Sequence, residues 1–529
     1  MKIPIGIDLG TTISVVARVT DEGSVEILKN DNGDTFTPSV VYFESAGNVI
    51  VGAEAKKFGP LAPDRVVAAI KRKMGTDFSL QFDGISYRPE GISAIVLRAL
   101  TEAAARELGV RPEEMISVVT VPAYFGTAER EATALAARIA GLETLDLVAE
   151  PVAAALSYGM SSEDRGSVLV YDLGGGTFDA TVIKLTSDGP QAVAVDGASQ
   201  LGGLNFDEAL GRLLLERYAA VTGDEDAIDD EDFVLHIHAE AEAVKKRLSR
   251  TESASVTVNR GGRKAKVNVS RSEFEEVTRT LVEETLTVVD RVIESASMLG
   301  TVRPSQVLLT GGSTRIPAIA VALEKHLGIR TRLNDPDTAV AKGAAIHSKA
   351  LLMRSEGTPI HRMLRDNAGT SRARILASTP VTSVLPRSLG VKLYDSNDPA
   401  GLRVFIDHII LANTPLPITA VTATFATIME GQERVRVELM EQAGAIAGPE
   451  VEFNRRIVDG ELSGLPEGLP AGSPIDFMLA VGTDGRIECV ARERTSGKEL
   501  ILHSYMEGVA DSAETDAQCQ VIAGLKVRN

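Results

Sequence analysis

Short apolar runs that end at an Asp-Gly turn and restart as β-rich segments recur along the first two-thirds of the chain. Ile3 to Ile7 is one such run, and Ser14 to Thr20 with Ser24 to Lys29, joined at Asp21-Glu22-Gly23, read as the strands that follow it. The pattern returns at Val168 to Tyr171, with strands expected near Ser167 to Asp172, Phe178 to Leu185 and Gln191 to Asp196. Helix-period segments alternate with these: Arg65 to Met74, Ser93 to Leu108 closed by Gly109, Thr127 to Ile139 before Gly141, and Val152 to Tyr158 opened by Glu150-Pro151. A long helical region begins at Gly202, and helices are expected at Pro317 to His326 and at Thr338 to Met353, the last capped by Asp335-Pro336-Asp337. Ile116 to Val121, Leu145 to Ala149 and Val307 to Thr310 read as further strands, so residues 1–353 form an α/β unit.

Residues 354–382 are charged and aperiodic, a linker or surface loop. The period then changes to two. Val435, Val437 and Leu439 alternate with Arg436 and Glu438, and Ile475 to Val481, Ile487 to Ala491 and Leu500 to Tyr505 are punctuated by Thr483-Asp484-Gly485 and Ser496-Gly497-Lys498. Residues 383–508 therefore read as an antiparallel β-domain, leaving 509–529 as a short tail.

At 529 residues the chain exceeds one hydrophobic core, which fits two or three domains. An aromatic content of 4% with no Trp argues against base-stacking surfaces, and a formal charge of −18 against phosphate-backbone binding. Nucleic acid is thus not an expected partner. Two cysteines, Cys489 and Cys519, make neither a disulfide framework nor a metal cluster. Nowhere do about eighteen consecutive apolar residues appear, and Met1-Lys2-Ile3-Pro4 leads directly into the first strand, so the expectation is a cytoplasmic protein without a membrane partner.

Candidate chemistry sits at the repeated turns. Gly6-Ile7-Asp8-Leu9-Gly10-Thr11-Thr12 and Tyr171-Asp172-Leu173-Gly174-Gly175-Gly176-Thr177-Phe178-Asp179 each carry an Asp at a strand end, glycines, and a Thr. Glycine lets backbone N–H groups approach an anion, and the carboxylate before the turn can hold a hydrated magnesium. One such loop is an ordinary hairpin turn; two in the same context form a repeat. Asp8 and Asp172 would face one another across a cleft and share a magnesium on nucleotide phosphates. Phosphoryl transfer also requires a cation and a group that orients water; Lys71 fits the first and Glu150, Thr177 and Asp179 the second. A Walker loop is absent from the sequence.

Those two loops, together with Ala69-Ile70-Lys71-Arg72, Val121-Pro122-Ala123-Tyr124-Phe125, Glu150-Pro151-Val152-Ala153-Ala154-Ala155-Leu156 and Thr310-Gly311-Gly312-Ser313-Thr314-Arg315-Ile316-Pro317, resemble the ATPase motifs of the heat-shock protein 70 family. The resemblance implies an actin-like ATPase domain of two duplicated lobes, followed by a mostly antiparallel β-sandwich. It implies ATP or ADP with magnesium held by Asp8 and Asp172, with K+ as a further candidate ion. Lys71 would contact the transferred phosphate, while Glu150, Asp172, Thr177 and Asp179 complete the catalytic group. Gly10, Thr11, Thr12, Gly174, Gly175, Gly176, Gly202 and Gly203 would cradle phosphates. Glu242, Lys245 and Ser249, which share one helical face, would meet adenosine, and Gly311, Gly312, Ser313, Arg315 and Asp337 would wall the base and sugar. Pro122 and Arg130 match a pair that passes nucleotide state to the second domain.

The β-half resembles the family's peptide-binding sandwich through Leu385-Pro386-Arg387-Ser388-Leu389-Gly390-Val391 and Asn413-Thr414-Pro415-Leu416-Pro417. By that likeness Ile406, Val435 and Val437 line a groove for an extended apolar peptide; as isolated residues they are equally well read as sheet core. Two departures stand out. The linker carries Ile375-Leu376-Ala377-Ser378-Thr379-Pro380 in place of a leucine-rich segment, and the residues after Tyr505 are too few for a helical lid. The expectation is an ATP-hydrolysing, lidless chaperone acting on unfolded polypeptide, with a J-domain protein and an exchange factor as candidate partners. The alternative is a nucleotide-gated module for one dedicated protein, and a small-molecule kinase of the same superfold is a third reading.

Overall fold

The computed structural model describes the chain except residues 1, 160–165, 187–188, 302, 334, 356–380, 396–397, 399–401, 445, 503–508 and 529. Two sheets of matching topology organise the first part. One runs in the order Thr144–Ala149, Met115–Val121, Ile3–Asp8, Ile13–Val19, Val25–Leu28; the other runs Thr331–Leu333, Gln306–Thr310, Gly166–Leu173, Phe178–Thr186, Gly189–Ala198. In each, an antiparallel hairpin pair is extended by two parallel strands on the other side of the Asp-bearing strand. The duplication seen in the loops is therefore a duplication of whole sheets. Every residue of Met115–Val121 is buried, as a parallel strand covered on both faces requires.

The Ala339–Ser355 helix packs on the first lobe's Ile3–Asp8 strand and on the second lobe's Glu150–Gly159 helix. Its closest approach is at Gly343, where a Cβ would lie 1.7 Å from the Ala153 carbonyl oxygen. Gly343→Ala is expected to force the two helices apart at a cost of ~1–3 kcal/mol, read as a lower Tm in calorimetry. An unchanged Tm would contradict this packing.

The 65–74 segment is not the helix its composition suggests. A 3₁₀ turn, Pro63–Arg65, gives way to the strand Val66–Ala68, and Ala69 at φ 54° redirects the chain into a second 3₁₀ turn, Ile70–Lys73. The β-branched pair Val66-Val67 joins Val40–Ser45 in an accessory sheet, so tertiary pairing overrides local helix tendency.

Residues beyond the linker build two four-stranded antiparallel sheets, ordered Val404–Ile410, Leu389–Tyr394, Arg434–Gln442, Asn454–Ser463 and Ile418–Ala426, Pro474–Val481, Ile487–Glu493, Glu499–Leu502. Their inner faces share a core that includes Leu389, Leu439, Phe477, Leu479 and Cys489, each at most 2% exposed. The short tail expected at 509–529 is instead folded into a helix, Ser512–Gly524, and a strand, Lys526–Arg528, seated on the first lobe. Most of the linker, including Ile375 to Pro380, lies outside the described residues.

Candidate active site

Both Asp-bearing strands deliver their carboxylates to one cleft. Asp8 ends Ile3–Asp8 and accepts from Thr120 Oγ1 at 3.0 Å, while Asp172 pairs in register with Asp179 across the second hairpin. The loops that follow touch. A Cβ on Gly175 would lie 2.3 Å from the Thr12 side chain and one on Gly176 2.3 Å from that of Thr11, so only glycine permits the approach. Between them, Lys71 Nζ donates to Glu150 Oε1 at 2.6 Å, and both side chains are largely buried. Ala69 in the left-handed region points this turn inward. Thr177 is buried and closes the second loop, its carbonyl accepting from Gly174 N at 3.0 Å.

Four carboxylates, those of Asp8, Glu150, Asp172 and Asp179, thus surround one lysine. Burial, reinforced by Glu150, pushes Asp8 and Asp179 up to about 7, with Lys71 opposing the rise. Burial and the neighbouring Glu150, Asp179 and Asp8 drive Asp172 well above the carboxylate range. Asp179 Oδ2 is buried without a hydrogen-bond partner. Such a concentration of desolvated acid fits a bound divalent cation, whose charge would reverse these shifts. Among the described residues no three acid, His or Cys groups converge for direct ligation of a metal ion.

A second cluster lines the mouth of the cleft. Glu242, on the Glu231–Leu248 helix, pairs with Lys246 at 2.7 Å and with Lys56 of the opposite lobe. Burial would raise Glu242, but the two lysines pull it down to about 2. Lys245 is tied to Gly203 O at 2.9 Å and Asp207 at 2.8 Å, and Ser249 Oγ donates to Lys245 O at 3.0 Å. Ser313 Oγ donates to Gly174 O at 2.8 Å, which joins the 3₁₀ turn Gly312–Arg315 to the second glycine loop, and Arg315 pairs with Asp337. Gly202 follows next, its N–H bonded to Asn205 at 3.0 Å. Gly311 N donates to Pro336 O at 2.9 Å, which holds the Asp337 turn against this wall.

A match to the Hsp70 protein family covers residues 4–83 and 79–521. The chain belongs to the Hsp70 family. The chain is 34% identical over 505 residues to the chaperone protein DnaK of Thermotoga neapolitana, and equally to those of Thermotoga petrophila and Thermotoga maritima. The matched region is 94% of this chain and 79% of each relative. Hsp70 membership makes it an ATPase with an actin-like domain and a β-sandwich.

The Hsp70 site also recruits residues that motif reading passed over. Arg72 donates to Gly176 O at 2.9 Å and to Asn205 at 2.7 Å, bracing the second loop; its place beside Lys71 was the available signal. Tyr124 N donates to Asp179 Oδ1 at 2.9 Å, and the Arg387 guanidinium of the β-domain lies 4.8 Å from the Tyr124 ring centroid. From there an ion network spans the two domains. Glu441 accepts from Thr127 N and Oγ1 at 2.8 Å each and from Arg455 Nε at 2.9 Å, with Arg387 at 3.6 Å and Glu129 bonded to Arg455 at 3.1 Å. Arg130 donates to Phe125 O at 3.1 Å, Pro122 O accepts from Phe125 N at 3.2 Å, and Arg130 packs under Gly485 of the β-domain.

The three groove candidates are less open. Ile406 and Val437 are 2% and 4% exposed, and Val435 packs half-buried against the same core.

Proposed function

We propose that this chain is an ATP-dependent chaperone in which Lys71, Glu150, Asp172, Thr177 and Asp179 carry hydrolysis and the β-domain receives extended polypeptide. The observation that carries the reading is the buried Lys71–Glu150 pair, set beneath two glycine loops in mutual contact. Asp8 and Asp172 would hold magnesium through its water shell, and the ion would supply charge neutralisation for the phosphates. Glu150, Thr177 and Asp179 orient the attacking water; Lys71 offers a cation to the transferring group. Glu242, Lys245, Ser249 and Arg315 frame the adenosine side. The relatives are chaperone proteins, and that role supplies the client class: unfolded polypeptide. A J-domain protein, an exchange factor, K+ and a cytoplasmic location complete the proposal. Among the described residues no helix is long and apolar enough to cross a membrane.

Peptide affinity with ATP and with ADP is the direct test. A panel of unrelated apolar peptides should bind, and magnesium-dependent ATP hydrolysis should accompany it. Binding of no peptide by a chain that hydrolyses ATP would remove the chaperone reading and leave the ATPase intact.

A further inference from the structure

The last described segment returns to the first lobe and is built into it. Ala510 N donates at 2.9 Å to Glu90 Oε1, a wholly buried carboxylate, and Gln518 Nε2 donates at 2.7 Å to Ser86 O. Gln518 lies over Gly91, where a Cβ would come within 2.1 Å of Gln518 Oε1. Ile522 and Leu525 are buried in the same core as Ile92, Ile95 and Val49. Lys526–Arg528 then pairs in parallel with Asn48–Val51 and covers what would otherwise be a free sheet edge. A buried acid, a required glycine and a matched strand edge together make a seat for this segment.

Covalent geometry gives the seat a consequence. Only residues 503–508 separate the seated segment from Glu499–Leu502, the last strand of the β-domain. The steps from Leu502 to Val509 span at most about 25 Å when fully extended, whereas the stretch from Ser355 to Val381 can reach roughly 90 Å. The longer connection leaves the β-domain free to travel; the shorter one does not.

We propose that residues 509–528 are a strap that leashes the β-domain to the first lobe. With the strap seated, breaking the interdomain network lets the β-domain shift only within the reach of 503–508, and wide separation requires the strap to peel off. Nothing in this inference depends on the ATPase reading, so its test uses no nucleotide.

Small-angle scattering is compared for the full chain carrying Glu441→Ala together with Glu129→Ala, a pair that removes both carboxylates of the interdomain network, alone and with a leash change. One change inserts about twenty Gly and Ser residues after Ser504, a flexible spacer that leaves every seated residue in place. The other is Ile522→Asp, which unseats the strap. The Glu441→Ala, Glu129→Ala pair alone should keep the radius of gyration of the unmutated chain, and both combined variants should expand. If the pair alone expands as far as the insertion variant, or if the insertion variant stays compact, the strap is not what holds the β-domain.

Discussion

Lys71→Ala is expected to lower the ATP turnover number by ~10²–10³ while ATP still binds, because it removes the one cation aimed at the transferring charge. Lys71 is buried and held at 2.6 Å from Glu150, and among the described residues no other lysine or arginine is bonded to the four carboxylates of the cleft. Its loss affects two things that can be separated. Chemistry loses a positioned positive charge, and the protein gains an uncompensated Glu150 beside Asp8, Asp172 and Asp179. The second effect is repaired by Glu150→Gln in the same chain, which should restore the Tm that Lys71→Ala lowers without restoring turnover. Lys71→Arg should not rescue either, since a planar guanidinium does not fit the space of a compact ammonium. Single-turnover hydrolysis, calorimetric ATP titration and thermal melts together decide it. Normal turnover in Lys71→Ala would remove this lysine from the mechanism.

What the sequence made legible is what repeats locally. Asp8 with Gly10 and Asp172 with Gly174 announce themselves because each strand ends in the same turn, and the sheets behind them do share one topology. The helix Thr127–Ile139 is bounded as its pattern predicts, since Gly141 at φ 77° follows its end. The sequence pattern sets Lys71 on a helix, whereas it sits in a 3₁₀ turn, because the left-handed turn at Ala69 leaves no mark in hydrophobic period. The tail was passed over for a different reason. Its helix is weakly amphipathic, yet Asp511 with Glu514 is a capping box written plainly in the sequence. Its partners, Glu90 and Asn48–Val51, stand more than four hundred residues upstream, where no local pattern reaches. Distance along the chain, 326 residues from Glu129 to Arg455, likewise hides the Glu129, Arg387, Glu441 and Arg455 network: each reads as an ordinary surface charge until the domains meet.

Glu441→Ala should cost ~3–5 kcal/mol, the penalty for breaking a buried ion pair from one side, and should loosen docking because it removes the acceptor of two hydrogen bonds from Thr127 of the first domain. The Glu441 side chain is 1% exposed and that of Arg387 4%, so Arg387 cannot turn to water freely when the carboxylate goes, whereas Arg455, 29% exposed, keeps Glu129 as a partner. Burial by itself would raise the Glu441 pKa, but Arg455 and Arg387 outweigh it and hold the group below the usual carboxylate range. A folded-state pKa below the unfolded one contributes stability that is complete above the ordinary carboxylate pKa and is lost as pH falls through the folded value. Docking in the unmutated chain should therefore weaken in acid, and Glu441→Ala should be weak at every pH. Amide exchange reports this directly, because Thr127 N–H donates to Glu441 across the interface. Its protection should collapse in Glu441→Ala and fade with acid in the unmutated chain, while amides inside the Pro474–Val481 strand keep theirs. A double-mutant cycle of Glu129→Ala with Arg455→Ala, which face one another across the junction, should show strong coupling in docking, and additive losses would mean that the two residues stabilise their own domains rather than the junction.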